Sequence, residues 1–356
     1  MSRTLLVTGG AGFIGSNFIR FVLQQRPKWR IINFDALTYA GNLENLRDVE
    51  DDPRYDFVHG DIRNREAVEH ALREHECDTI VHFAAESHVD RSITDSSPFV
   101  STNVLGTQVM LDSARHFWGN AVAQRSASPS ADAEPRAAAA PRFVHIGTDE
   151  VYGQLPLDRP DLKFIEDTPL QPSSPYSASK AASDMLALAY HHTFGMNVVV
   201  TRCSNNFGPF QYPEKVIPLF VTNLIDGRKV PLYGDGKNVR DWLHVIDHCE
   251  AILVVLEKGK AGEVYNIGGN NERSNNELTR SILKCCGKGE DMIQSVPDRL
   301  GHDRRYAIDA GKIKRELGWQ PTRSAWPAAL QETVEWYRAN EAWWRPLKEK
   351  HARAGV

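Results

Sequence analysis

At 356 residues the chain is longer than a typical single domain, so one large α/β unit or two intimate ones are expected. Hydrophobic residues at 41% and charged residues at 25% can build a sizeable core and exclude global disorder, and a net charge of −4 leaves no basic footprint for nucleic acid. Five cysteines (Cys77, Cys203, Cys249, Cys285, Cys286) form an odd set without metal-like spacing, two of them adjacent, which suits reduced thiols in a cytosol better than a disulfide framework.

The chain opens Met1-Ser2-Arg3 and enters Thr4-Leu5-Leu6-Val7-Thr8, a continuous apolar strand of the parallel, doubly covered kind, leaving no room for a signal peptide. No apolar run approaches the ~20 residues of a membrane helix. A soluble cytoplasmic protein with no membrane or nucleic-acid partner and no metal is expected. Gly9-Gly10-Ala11-Gly12-Phe13-Ile14-Gly15 follows, satisfying both Gly-x-x-Gly-x-x-Gly and Gly-x-Gly-x-x-Gly, and then a helix-like run from Ser16 to Gln25. Such glycines allow a tight turn and let a pyrophosphate approach backbone N–H groups at a helix N-terminus, where the dipole favours an anion. A second strand, Ile31 to Phe34, ends at Asp35, twenty residues past Gly15, the position from which a carboxylate hydrogen-bonds the adenosine ribose and repels a 2′-phosphate. The reading is NAD rather than NADP.

Further β/α units follow, with strand-like runs at Asp56 to His59, Thr79 to Ala84 and Arg142 to Ile146. Asp61, in Gly60-Asp61-Ile62, stands where an acid meets an adenine amino group. Ala84-Ala85-Glu86-Ser87-His88 ends the next strand, where small residues permit close approach to a cofactor. His88 reads equally as a ligand-binding histidine or as one satisfied by loop backbone. Residues 118 to 141 are rich in Ala, Ser, Pro, Arg and Gln and read as a surface insertion.

The run Arg142 to Ile146 breaks at Gly147 into Thr148-Asp149-Glu150, a hydroxyl and two adjacent carboxylates at a strand end. Pro172 and Pro175 stop any earlier helix, so one should begin near Tyr176, and its run from Ala178 to Tyr190 has neither Pro nor Gly. Tyr176 and Lys180 then lie at i and i+4 on one face, where an ammonium favours phenolate over phenol and draws a tyrosine pKa of ~10 toward that of a general base. Either motif alone is more often a polar turn or a surface pair; the preceding nucleotide-binding half changes the weighing.

Met196 to Thr201 gives another strand, entering the polar turn Arg202 to Pro209. Beyond it, loops carrying Lys215, Tyr233, Arg240, Asp298, Arg299 and His302 suit a phosphorylated, ring-bearing ligand. The tail from Ala325 to Trp344 reads as an aromatic-rich amphipathic helix or pair that serves packing.

These residues together resemble the extended short-chain dehydrogenase/reductase superfamily. Within it, Leu37 to Asn42, Ala84 to Ile93 (AAESHVDRSI), Thr148 to Gly153 (TDEVYG), Tyr176 to Lys180 (YSASK), Ser204 to Pro209, Asp241 to Leu243 and Gly301 to Asp309 (GHDRRYAID) are similar to the dTDP-glucose 4,6-dehydratase family, over about Thr4 to Trp319. Three departures stand out: Gly147 where relatives usually have Ser, Leu300 interrupting a segment that normally reads Asp-Arg-Pro-Gly-His, and a longer 118 to 141 stretch.

The resemblance implies a Rossmann-type doubly wound parallel sheet in residues 1–205 and a smaller mixed α/β substrate domain in 206–356, some of whose segments return to the sheet. It implies NAD held by Gly9, Gly12, Phe13, Ile14, Gly15, Asp35, Ala36, Leu37, Thr38, Asp61, Ile62, Ala84, Ala85, Glu86, Thr102, Tyr176, Lys180 and Asn206. A dTDP-hexose would meet Ser87, His88, Thr148, Asn205, Lys215, Val216, Pro231, Tyr233, Arg240, Asn275, Asp298, Arg299 and His302, and a homodimer is implied. Catalysis would fall to Thr148, Asp149, Glu150, Tyr176 and Lys180. Tyr176 takes the O4 proton as C4 is oxidised, Glu150 takes the C5 proton, and Asp149 protonates the departing O6 hydroxyl. Other sugar nucleotides (CDP-, GDP- or UDP-linked), a decarboxylase, and a catalytically silent NAD-sensing protein are the alternatives.

Overall fold

The computed structural model describes residues 2–127, 140–298 and 301–353. β1 (Thr4–Thr8), β2 (Arg30–Asp35), β3 (Tyr55–His59), β4 (Thr79–His82), β5 (Arg142–Thr148) and β6 (Val198–Cys203) join Val264–Ile267 in one sheet. Their spatial order is Val264–Ile267, β6, β5, β4, β1, β2, β3. β1 pairs in parallel with β2 and β4, with Leu6 opposite both Ile32 and Ile80, and β2/β3 and β4/β5 are parallel too. Both faces are covered, which is why these strands read as unbroken apolar runs: Leu5, Leu6, Val7, Ile80, Val81, Phe143 and Val144 are all fully buried. The order reverses between β1 and β4, and in such a sheet ligands bind in the crevice at that reversal.

Strand ends differ from the sequence expectation where polar groups take over from the ladder. β4 stops at His82, because Ala84 donates its N–H to the Thr8 side chain at 3.3 Å instead of to a strand. β5 runs on through Gly147 to Thr148, and β6 starts at Val198, two residues after Met196. The insertion reading also needs correcting. The Thr107–Ala127 helix continues through its first ten residues, and Trp118 is a core residue whose Nε1–H donates to Cys77 O at 2.9 Å. Ala, Gln and Arg there are helix formers, so composition alone could not separate helix from insertion. Residues 128–139 lie outside the described residues.

By contacts the chain divides into two compact units. The first comprises Met1–Val151, Ser174–Arg202 and Ile252–Tyr265; the second comprises Tyr152–Ser173, Cys203–Ala251 and Asn266–Val356. In the first, Leu6, Ile32, Phe34, Ile80, Phe143 and Val198 from the strands pack with Val68, Leu72, Met110, Leu111 and Ala187 from the helices. The second unit holds a three-stranded sheet in the order Glu272–Ser274, Val239–His244, Asn205–Phe207, and a parallel pair of Val230–Tyr233 with Ile293–Val296. Its core gathers Phe207, Phe220, Trp242, Leu278, Leu330, Tyr337 and Trp344. The aromatic tail is a pair of helices, Ala328–Ala339 and Glu341–Arg353, and Trp344 donates Nε1–H to Tyr337 O at 2.7 Å. All five cysteines are free thiols, and among the described residues no helix is long and apolar enough to cross a membrane.

Phe143 lies at the centre of β5, the strand that ends in Thr148. Phe143→Ala should lower unfolding free energy by about 3–5 kcal/mol, read as a fall in the urea midpoint.

Candidate active site

At the reversal between β1 and β4, Gly9 adopts φ +69°, and a Cβ there would stand 2.7 Å from Ala84 N. Only glycine satisfies both the left-handed backbone and that approach. Gly12 N–H closes the turn on Gly9 O at 3.1 Å, and the Phe13–Gln25 helix then begins with neither a side-chain cap nor an acidic first-turn residue. Its first-turn N–H groups, at Phe13, Ile14 and Gly15, and its dipole are thus available to an anion.

Asp35, buried at the end of β2, accepts the N–H of Ala11 on Oδ2 at 2.9 Å and that of Leu37 on Oδ1 at 2.8 Å. Its carboxylate therefore stitches the glycine loop to Ala36-Leu37-Thr38, where Leu37 takes φ +50°. Burial pushes the Asp35 pKa up, opposed by the two N–H bonds. Asp61 carries a bidentate Arg63, whose guanidinium holds the carboxyl below its usual range, while Ile62 sends its side chain into the core. Asn206, in the second unit, spends its amide on Ser204 O at 3.0 Å and on His248 Nδ1 at 3.0 Å.

The Ala84 to Glu86 loop is clamped by a residue that the sequence reading missed. Asn103 accepts Glu86 N–H at 2.8 Å and donates to Glu86 O at 3.0 Å and to Ser179 Oγ at 2.8 Å. It follows Thr102 in a π-helical stretch, Val100–Gly106, a geometry that recurs at functional sites. A buried Asn inside a helix, where it is a poor former, was the available signal.

β5 ends at Thr148, and Asp149–Tyr152 form a 3₁₀ turn in which Thr148 Oγ1 accepts Glu150 N–H at 3.4 Å. Asp149 is buried to 1% exposure, whereas Glu150 is half-buried. The Pro175–Phe194 helix starts where the sequence placed it because Ser174 accepts Ser177 N–H at 3.1 Å while Ser177 Oγ accepts Ser174 N–H at 3.0 Å, with Pro175 at the first helical position. Tyr176 and Lys180 share its buried face. Tyr176 N–H donates to Ser92 Oγ at 3.2 Å, and its ring meets Phe99 edge-on at 6.3 Å. Lys180 Nζ donates to Ile146 O at 2.7 Å, two residues before Thr148. A phenol, an ammonium, a hydroxyl and two carboxylates are thereby carried by one helix and one strand end, as proton transfer at a carbinol and its neighbours requires. His88, after Ser87, caps the Val89–Thr94 helix by accepting Arg91 N–H on Nδ1 at 3.4 Å.

The second unit collects several of the other expected residues around Asn238, also missed in the sequence. Asn275 N–H donates to Asn238 O at 2.9 Å, and Asn238 Nδ2 donates to Asp303 O at 3.1 Å. Arg240 donates to Asp303 O at 2.9 Å with its guanidinium 4.2 Å over the Tyr306 ring. Asp298 pairs with His302 at 2.6 Å. Pro231 and Tyr233 lie on the strand paired with Ile293–Val296, and Asn205 stands opposite Trp242, two residues from Arg240. Asn205 Oδ1 is buried without a partner among the described residues. Lys215 and Val216 are on a separate element, the start of the Val216–Ile225 helix. Arg299 and Leu300 lie outside the described residues.

A family model described as GDP-mannose 4,6 dehydratase matches residues 6–327. Among curated relatives, the dTDP-glucose 4,6-dehydratase of Streptomyces niveus is 52% identical over 99% of this chain and 97% of its own, and that of Escherichia coli is 46% identical over 97% and 96%. Among solved structures, the dTDP-glucose 4,6-dehydratase of Bacillus anthracis in complex with NAD superposes with TM-score 0.85 at 51% identity, covering 97% of this chain and 99% of that one. A UDP-glucose 4-epimerase of Thermus thermophilus, also in complex with NAD, gives 0.81 at 28% identity, over 95% and 99%.

Removing the Asn103 amide takes a partner from the part-buried Glu86 backbone groups and from the buried Ser179 hydroxyl. Asn103→Ala is expected to cost about 2–3 kcal/mol in stability, read by chemical denaturation, and to expose the 84–86 amides to hydrogen exchange.

Proposed function

The chain belongs to the dTDP-glucose 4,6-dehydratase family of extended short-chain dehydrogenases/reductases, and on that premise we propose that it converts dTDP-glucose to dTDP-4-keto-6-deoxyglucose with NAD as resident cofactor. The observation that carries the reading is the placement of Thr148-Asp149-Glu150 at the end of β5, beside a strand carbonyl that anchors Lys180, four residues after Tyr176 on its helix. An epimerase or plain dehydrogenase needs no such carboxylate pair.

The residues present fit a dinucleotide. The Gly9 turn, which a Cβ would fill, and the uncapped helix start suit a pyrophosphate, and Asp35 at the end of β2 suits a ribose and disfavours a 2′-phosphate. When bound, NAD supplies a hydride acceptor for C4 and returns that hydride to C6. The chain's own side chains handle protons. Tyr176, beside the Lys180 ammonium and with Thr148 to orient O4, takes the O4 proton. The resulting C4 carbonyl acidifies the C5 hydrogen, which Glu150, the more exposed carboxylate, accepts as a proton, and a proton returns to C5 when C6 receives the hydride. Asp149, buried beside it in the chain, gives its proton to the departing O6 hydroxyl, which leaves as water. Asn205, Arg240, Asn275 and the Asp298–His302 pair are the groups of the second unit offered to the nucleotide, with Arg240 set on Tyr306 for a phosphate.

Two finer points belong to the same proposal. Val100 and Leu105 stand about half exposed, as does Met185 on the Pro175–Phe194 helix to which Asn103 ties their stretch, and these exposed apolar side chains are the ones a second copy of this chain would cover. The buried or half-buried free thiols suit a reducing compartment, and the cytoplasm is the assignment.

Three measurements follow. Tyr176→Phe should lower turnover of dTDP-glucose at least ~10²-fold, and a near-normal rate would mean that Tyr176 does not face the sugar. Glu150→Gln should still oxidise C4, so NADH absorbance rises toward one per site while 4-keto-6-deoxy product forms slowly; elimination at the normal rate would reduce the carboxylates to turn residues. Sedimentation should give a dimer, which Leu105→Glu combined with Met185→Glu converts to monomer.

A further inference from the structure

Behind the catalytic pair lies a buried charged cluster that the steps above do not use. Asp184 follows Lys180 by one helical turn, as Lys180 follows Tyr176, so the three line one face at i, i+4 and i+8. Its fully buried carboxylate accepts from Arg202 Nε on Oδ2 at 2.8 Å, and Oδ1 lies 3.2 Å from His145 Nε2. The titratable and charged groups that face it are His145 on β5, Arg202 on β6 and Lys180 on its own helix. His82 on β4 faces His145 in turn, with ring centroids 5.5 Å apart. Burial keeps both imidazoles neutral, and His82 is bracketed by the hydroxyls of Thr8 at 2.7 Å and Thr107 at 3.1 Å. The cluster therefore holds two cations, Lys180 and Arg202, and one anion, Asp184. Gly147 accommodates that anion against the strand: a Cβ there would stand 2.9 and 3.1 Å from the two carboxylate oxygens.

A pair that merely held β6 to the helix could sit anywhere along the contact. This one sits one turn from the ammonium on which Tyr176 depends, in a medium where a unit charge is felt far more than in water. We propose that Asp184 and Arg202 are positioning residues that set the electrostatic potential at Lys180 and Tyr176, and with it the pH window in which the tyrosine acts as a base. The signs are opposite for the two. Neutralising Asp184 leaves Arg202 uncompensated, so the phenol ionises and the ammonium deprotonates at lower pH. Neutralising Arg202 leaves Asp184 unpaired, and both events move to higher pH.

This inference rests on the proposed roles of Tyr176 and Lys180, and the test keeps the two apart. The pH dependence of kcat with dTDP-glucose is measured for the unmodified chain, Asp184→Asn and Arg202→Gln, and the Tyr176 Cζ resonance is titrated in the same proteins labelled with ¹³C-tyrosine, a readout that needs no turnover. Asp184→Asn should move both limbs and the resonance to lower pH by about one unit, and Arg202→Gln should move them to higher pH by a similar amount. If one variant does not fold, the sign of the shift in the other decides. Limbs and resonance that stay within a few tenths of a unit of the unmodified protein, or that move the same way in both variants, overturn the proposal whatever happens to kcat or Tm. An unmodified chain that turns over no dTDP-glucose would overturn the functional reading instead, with the resonance still deciding this one.

Discussion

An ammonium taken out of water has to be met by oxygen, and Lys180 is met by the carbonyl of Ile146 at 2.7 Å. That one bond ties the helix to the end of β5, and much of the surrounding structure serves to make it possible. Ser174 and Pro175 fix where the helix begins, so that position 180 falls opposite the strand end. Asn103 holds Ser179, the preceding residue, and the Glu86 loop to the same stretch of helix. Phe143 and Val144 bury the strand that supplies the carbonyl. Thr148 and Tyr176 are held by the same bond, because they lie within a few residues of its two ends.

The cofactor end follows a second economy. Asp35 reads in the sequence as a ribose ligand, yet both of its oxygens already accept backbone N–H groups, from Ala11 and Leu37. One carboxylate thus ties the glycine loop to Leu37, so a change at this position alters the loop geometry as well as the charge. Arg240 is likewise fixed, on the Tyr306 ring and two carbonyls.

The parts legible in the sequence were those whose chemistry is local. Three glycines at fixed spacing, an acid at the end of the next strand, a hydroxyl and two carboxylates where β5 stops, and a Tyr and Lys one turn apart all show in short windows, and the family resemblance bound them together. What stayed hidden depends on contacts between distant positions. Asn103 meets Ser179 across 76 residues, and Asn238 meets Asp303 across 65. His145, Asp184 and Arg202 look like ordinary members of a strand, a helix and a strand until the sheet assembles them. Trp118 was misplaced for the converse reason: the alanine-rich composition after it resembles an insertion, while a single indole bond to Cys77 O sets it in the core.

The sheet takes its last strand from Val264–Ile267, after the chain has already passed through the whole segment Cys203–Ala251 of the other unit. On a ribosome that emits the chain from its N-terminus, β6 therefore emerges with one edge open and must wait some sixty residues for its neighbour. During that interval an apolar, unpaired strand edge is exposed, the kind of surface that templates aggregation and that chaperones cover. The order in which the polypeptide is threaded thus sets a period of vulnerability during synthesis that the finished fold no longer carries.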